Sequence, residues 1–172
     1  MWMSKLKEMS VGPLWVLRDK AAAHQPAAEG LATQTCPVCQ QPWLQFASDN
    51  RKAIAILAAP VTDPAQLTLL QNCLRAVEWG DVAVMSLHAD CAENAELAVQ
   101  VLQAQLAESS DASLIVFGQP AAQRLNPTFN RGQVHRFNDA RLVVTHHPEQ
   151  VLADRALKAA VWADLCLAAY DV

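Results

Sequence analysis

The chain has 172 residues, 52% of them hydrophobic and 17% charged, with a formal net charge of −4. That length suits one domain with a short appendage, and the composition excludes general disorder and argues against an overall electrostatic grip on nucleic acid. Charge is unevenly placed, however: residues 76–123 hold seven acids and no Lys or Arg, and Arg124, Arg131, Arg136 and Arg141 follow in quick succession.

No stretch approaches the ~18 apolar residues that a bilayer span needs. The first residues, Met-Trp-Met-Ser-Lys-Leu-Lys-Glu, are charged where a signal peptide would turn apolar. A cytoplasmic protein with no membrane partner is expected. Five cysteines in a reducing compartment do not make a disulfide framework, and an odd number leaves one over.

Residues 1–20 form a small unit. Gly12-Pro13 breaks any helix, so Leu14 to Leu17 should be extended. Its apolar set is Leu6, Met9, Val11, Leu14, Trp15 and Leu17, followed by Arg18. Trp among Met, Leu and Arg is the composition of an interface anchor, so a flexible partner-binding peptide is expected. Residues 21–50 have three prolines and no sustained period, and are expected to be a linker or loop carrying Cys36-Pro37-Val38-Cys39 and Trp43.

From residue 51 to residue 172 the pattern is that of an α/β core domain. Residues 53–59 are a continuous apolar run, as in a strand buried on both faces. Asp63-Pro64 opens a helix, with Asp63 at the N-cap, Pro64 at the first helical position, and Leu67, Leu70, Leu74 and Val77 on one face. A second strand is expected over 82–87, and a helix over 92–108 with Leu97, Val101, Leu102 and Leu106 as its stripe. A third strand over 114–117 ends at Gly118, and a short helix covers 121–125. Two more strands, over 133–137 and 142–145, lead to a closing helix over 155–169 that carries Trp162 packed against the core. Strand, helix, strand, helix, strand implies a parallel central sheet with helices on both faces, and ligands then gather beyond the carboxyl ends of the strands.

Several residues are candidates for chemistry. Cys36-x-x-Cys39 could be half of a zinc knuckle, with His88-x-x-Cys91 as the other half. The long separation favours ordinary thiols, so no metal or cofactor is assigned. Cys73 and Cys166 sit at helical core spacing as small apolar fillers. In Thr145-His146-His147-Pro148 a His after a strand is placed for acid/base work, but capping of the following helix is the more economical reading. The basic stretch with Phe129, His135 and Phe137 could meet a phosphate backbone, yet it more often lines a solvated edge; strong direct DNA binding is not expected.

Two resemblances follow from ordered sets of residues. Leu114-Ile115-Val116-Phe117-Gly118-x-x-Ala121-Ala122, Arg131-Gly132-x-x-His135, Val144-Thr145-x-His147-Pro148 and Leu157-Lys158-x-x-Val161-Trp162-x-Asp164-Leu165 resemble the C-terminal half of the iron–sulfur uracil-DNA glycosylases. That family carries Gly-Glu-Ala-Pro-Gly after its first strand, with the acid activating water, where this chain has Leu57-Ala58-Ala59-Pro60-Val61. Cys36, Cys39 and Cys91 fall near three of its four cluster cysteines, with no fourth near residues 95–101.

The second resemblance covers nearly the whole chain and is to the psi subunits of bacterial DNA polymerase III, noncatalytic accessory proteins of the clamp loader. It rests on Leu6-x-x-Met9-x-Val11-x-x-Leu14-Trp15-Val16-Leu17-Arg18, residues 54–59, Thr62-Asp63-Pro64, Leu74-Arg75-Ala76-Val77, residues 84–87, and Arg155-x-x-Lys158-Ala159-Ala160-Val161-Trp162. The resemblance implies a three-layer, uracil-DNA-glycosylase-like domain, an N-terminal peptide that binds the clamp-loader ATPase subunits, and a core that binds the chi subunit. Through chi it would reach single-stranded-DNA-binding protein indirectly. Pro60, Asp63, Gly118 and His147 would then be a vestigial pocket. The alternative is a glycosylase-like repair enzyme or damaged-base binder using that same pocket.

Overall fold

A computed structural model describes residues 32–40, 42–46, 53–79, 82–87, 91–107 and 112–170. The N-terminal peptide, with Leu6, Met9, Val11, Leu14, Trp15, Leu17 and Arg18, lies outside the described residues, as does His88.

The strands are β1 (Ala32–Thr35), β2 (Pro42–Phe46), β3 (Ala53–Leu57), β4 (Ala83–Ser86), β5 (Ser113–Phe117), β6 (Val134–Phe137) and β7 (Ala140–Thr145). The helices are α1 (Pro64–Ala76), α2 (Ala92–Ala107), α3 (Gln119–Leu125), α4 (Pro148–Ala153) and α5 (Lys158–Ala169), with one 3₁₀ turn at Arg155–Leu157. All seven strands form one sheet in the order β1-β2-β4-β3-β5-β7-β6. The central four, β4, β3, β5 and β7, run parallel, and β2 and β6 flank them antiparallel.

Every residue of β3 is buried, as its unbroken apolar run requires for a strand covered on both faces. Alternate side chains feed two separate cores. Ile54, Ile56, Met85, Leu114, Val116, Leu142 and Val144 point to the face covered by α2 and α3. Ala55, Leu57, Ile115, Phe117 and Val143 point to the face covered by α1, α4 and α5. The fold is therefore α/β with a mostly parallel central sheet between two helical layers, in agreement with the sequence.

Local chemistry sets the limits of α1. The Asp63 carboxylate accepts the Gln66 amide at 2.8 Å, and Pro64 occupies the first turn, where no amide is needed. The helix ends as a Schellman motif: Glu78 takes a φ of 65°, its amide donates to the Arg75 carbonyl, and the Trp79 amide donates to the Leu74 carbonyl at 2.8 Å. Leu69 and Cys73 join Leu70 and Leu74 in the core, whereas Leu67, expected on the buried face, is exposed. The helix is rotated so that its buried stripe runs through Cys73.

The stretch 21–50, expected to be a linker or loop, contains the β1–β2 hairpin across residues 32–46. Its strands hold four and five residues and no alternating apolar pattern, so nothing local announces them; they exist by pairing. β2 joins the edge of β4 through Leu44 opposite Met85 and Gln45 opposite Val84. At the other edge, β6 and β7 are joined by Asn138-Asp139 with φ of 47° and 67°, the left-handed pair a two-residue hairpin demands.

Candidate functional site

Among the described residues, the carboxyl ends of β3, β5 and β7 open onto the segments at 58–63, 118 and 146–147, which hold Pro60, Asp63, Gly118 and His147 of the candidate pocket. Gly118 and His147 meet there. The Gly118 amide donates to the Thr145 carbonyl at 2.8 Å, and a Cβ on Gly118 would stand 3.4 Å from the Cβ of His147. Gly118 takes a φ of 96°, which turns the chain sharply from β5 into α3 and which other residues adopt only under strain. Pro60 and Asp63 stand on the adjacent loop after β3.

Asp63 and His147 both take part in capping. His147 is the N-cap of α4: its Nδ1 accepts the Glu149 amide at 3.3 Å, while the His147 amide donates to Gln150 Oε1 at 3.1 Å. This reciprocal pair satisfies two helix-start amides. Burial holds the imidazole pKa below its ordinary value, against a smaller upward pull from the Glu149 carboxylate, whose Oε2 lies 4.0 Å from Nδ1. A neutral ring suits the cap, because the protonated form could not accept the amide. One oxygen of the Asp63 carboxylate caps the start of α1.

A second polar centre escaped the sequence reading. Asp164, only 2% exposed, sits in α5 and accepts the Thr145 hydroxyl at 2.9 Å and Arg131 Nη1 at 3.2 Å. A buried carboxylate needs such partners. They join the end of β7, the loop before β6 and α5. The signal was a lone acid in an otherwise apolar helix, Lys158-Ala159-Ala160-Val161-Trp162-Ala163-Asp164-Leu165.

The basic stretch is largely structural. Arg131 pairs with Asp164, Arg136 donates to the Asp139 carbonyl at 2.8 Å, and Arg141 donates to the Leu167 and Tyr170 carbonyls at the end of α5 at 3.2 and 2.8 Å. These last bonds satisfy helix carbonyls that have no intrahelical partner. His135 stacks at 4.8 Å on Phe129, which is itself in the core.

The cysteines divide into two groups, and none of the five is in a disulfide. Cys73 is a core filler as expected; burial raises its pKa to about 11 in spite of Lys158. Cys166 is less enclosed, and burial raises its pKa too. The sulfurs of Cys36, Cys39 and Cys91 converge instead, all within 4.8 Å of one another, with Cys36 and Cys91 at 4.0 Å. Cys36 and Cys39 lie in the turn between β1 and β2, and Cys91 immediately precedes α2. Among the described residues, the spacing of these sulfurs is too tight for a four-iron cluster. Such a cluster puts each thiolate on its own iron at a separate corner of a cube, and so needs a wider spacing of sulfurs.

Comparison with protein-family models and with curated proteins returns no match for this chain. Among the described residues no helix is long and apolar enough to cross a membrane.

Proposed function

We propose that this chain is a noncatalytic, psi-type accessory subunit of the bacterial replicative polymerase, with a uracil-DNA-glycosylase-like core. In this reading residues 1–20 bind the clamp-loader ATPase subunits, and the core binds the chi subunit and, through it, single-stranded-DNA-binding protein. The ordered resemblance along the chain motivates the reading. Two structural observations favour a scaffolding role for these loops: Asp63 Oδ1 caps the first turn of α1 and His147 Nδ1 caps the first turn of α4. Excision needs a positioned water or a cation-stabilising acid together with a group near the leaving base. Leu57-Ala58-Ala59-Pro60-Val61 provides no acid.

In this reading Leu14, Trp15 and Leu17 bury their apolar area on the clamp loader, and that interface must offset the free energy of ordering the peptide. In binding experiments with purified clamp-loader subunits and purified chi, the full chain should capture both, and removal of residues 1–20 should abolish clamp-loader capture and leave chi capture intact. If the truncated chain keeps both partners, the division of labour is wrong. Robust excision from a uracil-containing oligonucleotide would replace the proposal with the repair-enzyme alternative.

A further inference from the structure

We infer that Cys36, Cys39 and Cys91 hold a single tetrahedral zinc-type ion that fastens the β1–β2 hairpin to the start of α2. A thiolate bonds zinc at ~2.3 Å, so two thiolates on one tetrahedral ion stand about 3.8 Å apart. The Cys36 and Cys91 sulfurs stand 4.0 Å apart and all three lie within 4.8 Å. This is the spacing of ligands to one ion, and it is far from the ~2.05 Å of a disulfide, which would in any case use two of the three sulfurs.

Three independent parts of the fold bring the sulfurs together. The Gln40 amide donates to the Cys36 carbonyl at 2.9 Å, closing a turn that ends with Gln40 at a φ of 55°. That left-handed conformation costs a side-chain-bearing residue about 1 kcal/mol or more; here it folds Cys39 back beside Cys36. The β2–β4 pairing then sets the turn at the carboxyl end of β4, the end from which the chain runs to Cys91. Cys91 stands at the N-terminus of α2, whose dipole offsets the net negative charge of three thiolates around a divalent cation. Cys36 and Cys91 are 1% and 6% exposed, so the ion would be shielded from water on the side facing the core. Three thiolates leave one tetrahedral position that the described residues do not fill. Soft thiolate donors select zinc over magnesium or calcium.

The mechanical consequence is specific. β2 touches the parallel sheet through two residue pairs, and the ion would add a cross-link between positions 55 residues apart. Loss of the ion should loosen the hairpin and leave the parallel strands in place.

The test uses the full chain, prepared without a histidine tag and without chelator. Elemental analysis should find about one zinc per chain. After chelator treatment, added cobalt(II) should produce sulfur-to-cobalt charge-transfer absorption and the intense visible bands of a tetrahedral site. Cys36→Ser and Cys91→Ser should each lower bound metal by about tenfold or more, and Cys73→Ser and Cys166→Ser should leave it unchanged. Hydrogen exchange across residues 32–46 should speed up on chelation, with β3 and β5 unaffected. Because the cysteine variants could fail to fold, the cobalt titration of the unaltered chain stands by itself: no metal-dependent spectrum overturns the inference. Iron with acid-labile sulfide would equally overturn it, in favour of a cluster. So would a loss of metal in Cys73→Ser as large as in Cys36→Ser.

Discussion

Asp164 shows how one side chain can join three parts of the fold. Its carboxylate is inside the protein, yet one partner, Arg131, keeps its side chain 41% exposed, so truncation would strand the Thr145 hydroxyl rather than a buried cation. Asp164→Ala should therefore lower stability by about 1–3 kcal/mol, read as a reduced urea midpoint with unchanged slope. Asp164→Asn, which can still accept from Thr145, should recover part of the loss; equal midpoints for Asp164→Ala and the parent chain would mean the network contributes nothing. His147 acts through protonation. Its folded pKa lies below the unfolded value of about 6.5, so the unfolded chain binds the proton more readily. The stability it contributes is complete above that pH and is lost as pH falls through the folded pKa. Unfolding curves between pH 7 and pH 5 should slope downward toward acid, and His147→Asn, which keeps a capping oxygen without titrating, should flatten part of that slope. Cys73, with a pKa of about 11 inside the core, should resist alkylation at pH 8 until the protein is unfolded; rapid labelling of the native chain would contradict its burial.

At the scale of the element, the joints matter more than the interiors. The β5–α3 joint depends on Gly118, and Gly118→Ala should cost about 1–3 kcal/mol, because the φ of 96° strains any side-chain-bearing residue and the new Cβ meets His147. A thermal midpoint equal to that of the parent would show that the turn relaxes freely. In α5, Trp162 packs against the second core but stays partly exposed, so its indole contributes less than a fully buried one, for which truncation costs 3–5 kcal/mol. The bonds from Arg141 in β7 to the carbonyls at the end of this helix tie the sheet to the last helix.

For the whole molecule, the sheet is the shared wall of two cores. Leu102 fills the α2 side and Leu165 the α5 side, and both are fully enclosed. Leu102→Ala and Leu165→Ala should each cost about 2–5 kcal/mol. Because β3, β5 and β7 contribute side chains to both faces, neither core can melt without exposing the other, and each variant should unfold in one cooperative step with the parent's denaturant slope. Two separate transitions in either variant would show that the layers fold independently.

Much of this was legible in the residues because the forces involved act over short sequence distances. Asp63-Pro64 determined where α1 begins, since a cap needs only the amide three residues on; the apolar runs of β3, β5 and β7 determined that a sheet would be covered on both faces, since strand periodicity is local. The rotation of α1 that exposes Leu67 and buries Leu69 was not legible, because it depends on which neighbours the helix meets. The β1–β2 hairpin and the Asp164 centre were decided by the tertiary structure alone, and it also decided that Cys36, Cys39 and Cys91, which the sequence offers as a possible knuckle but whose long separation favours ordinary thiols, converge. Thr145 lies 19 residues from Asp164, Arg131 33 residues from it, and Cys36 55 residues from Cys91. No local pattern encodes such juxtapositions; the strand order creates them, by carrying the β1–β2 turn to the carboxyl end of β4 and the end of β7 beneath α5.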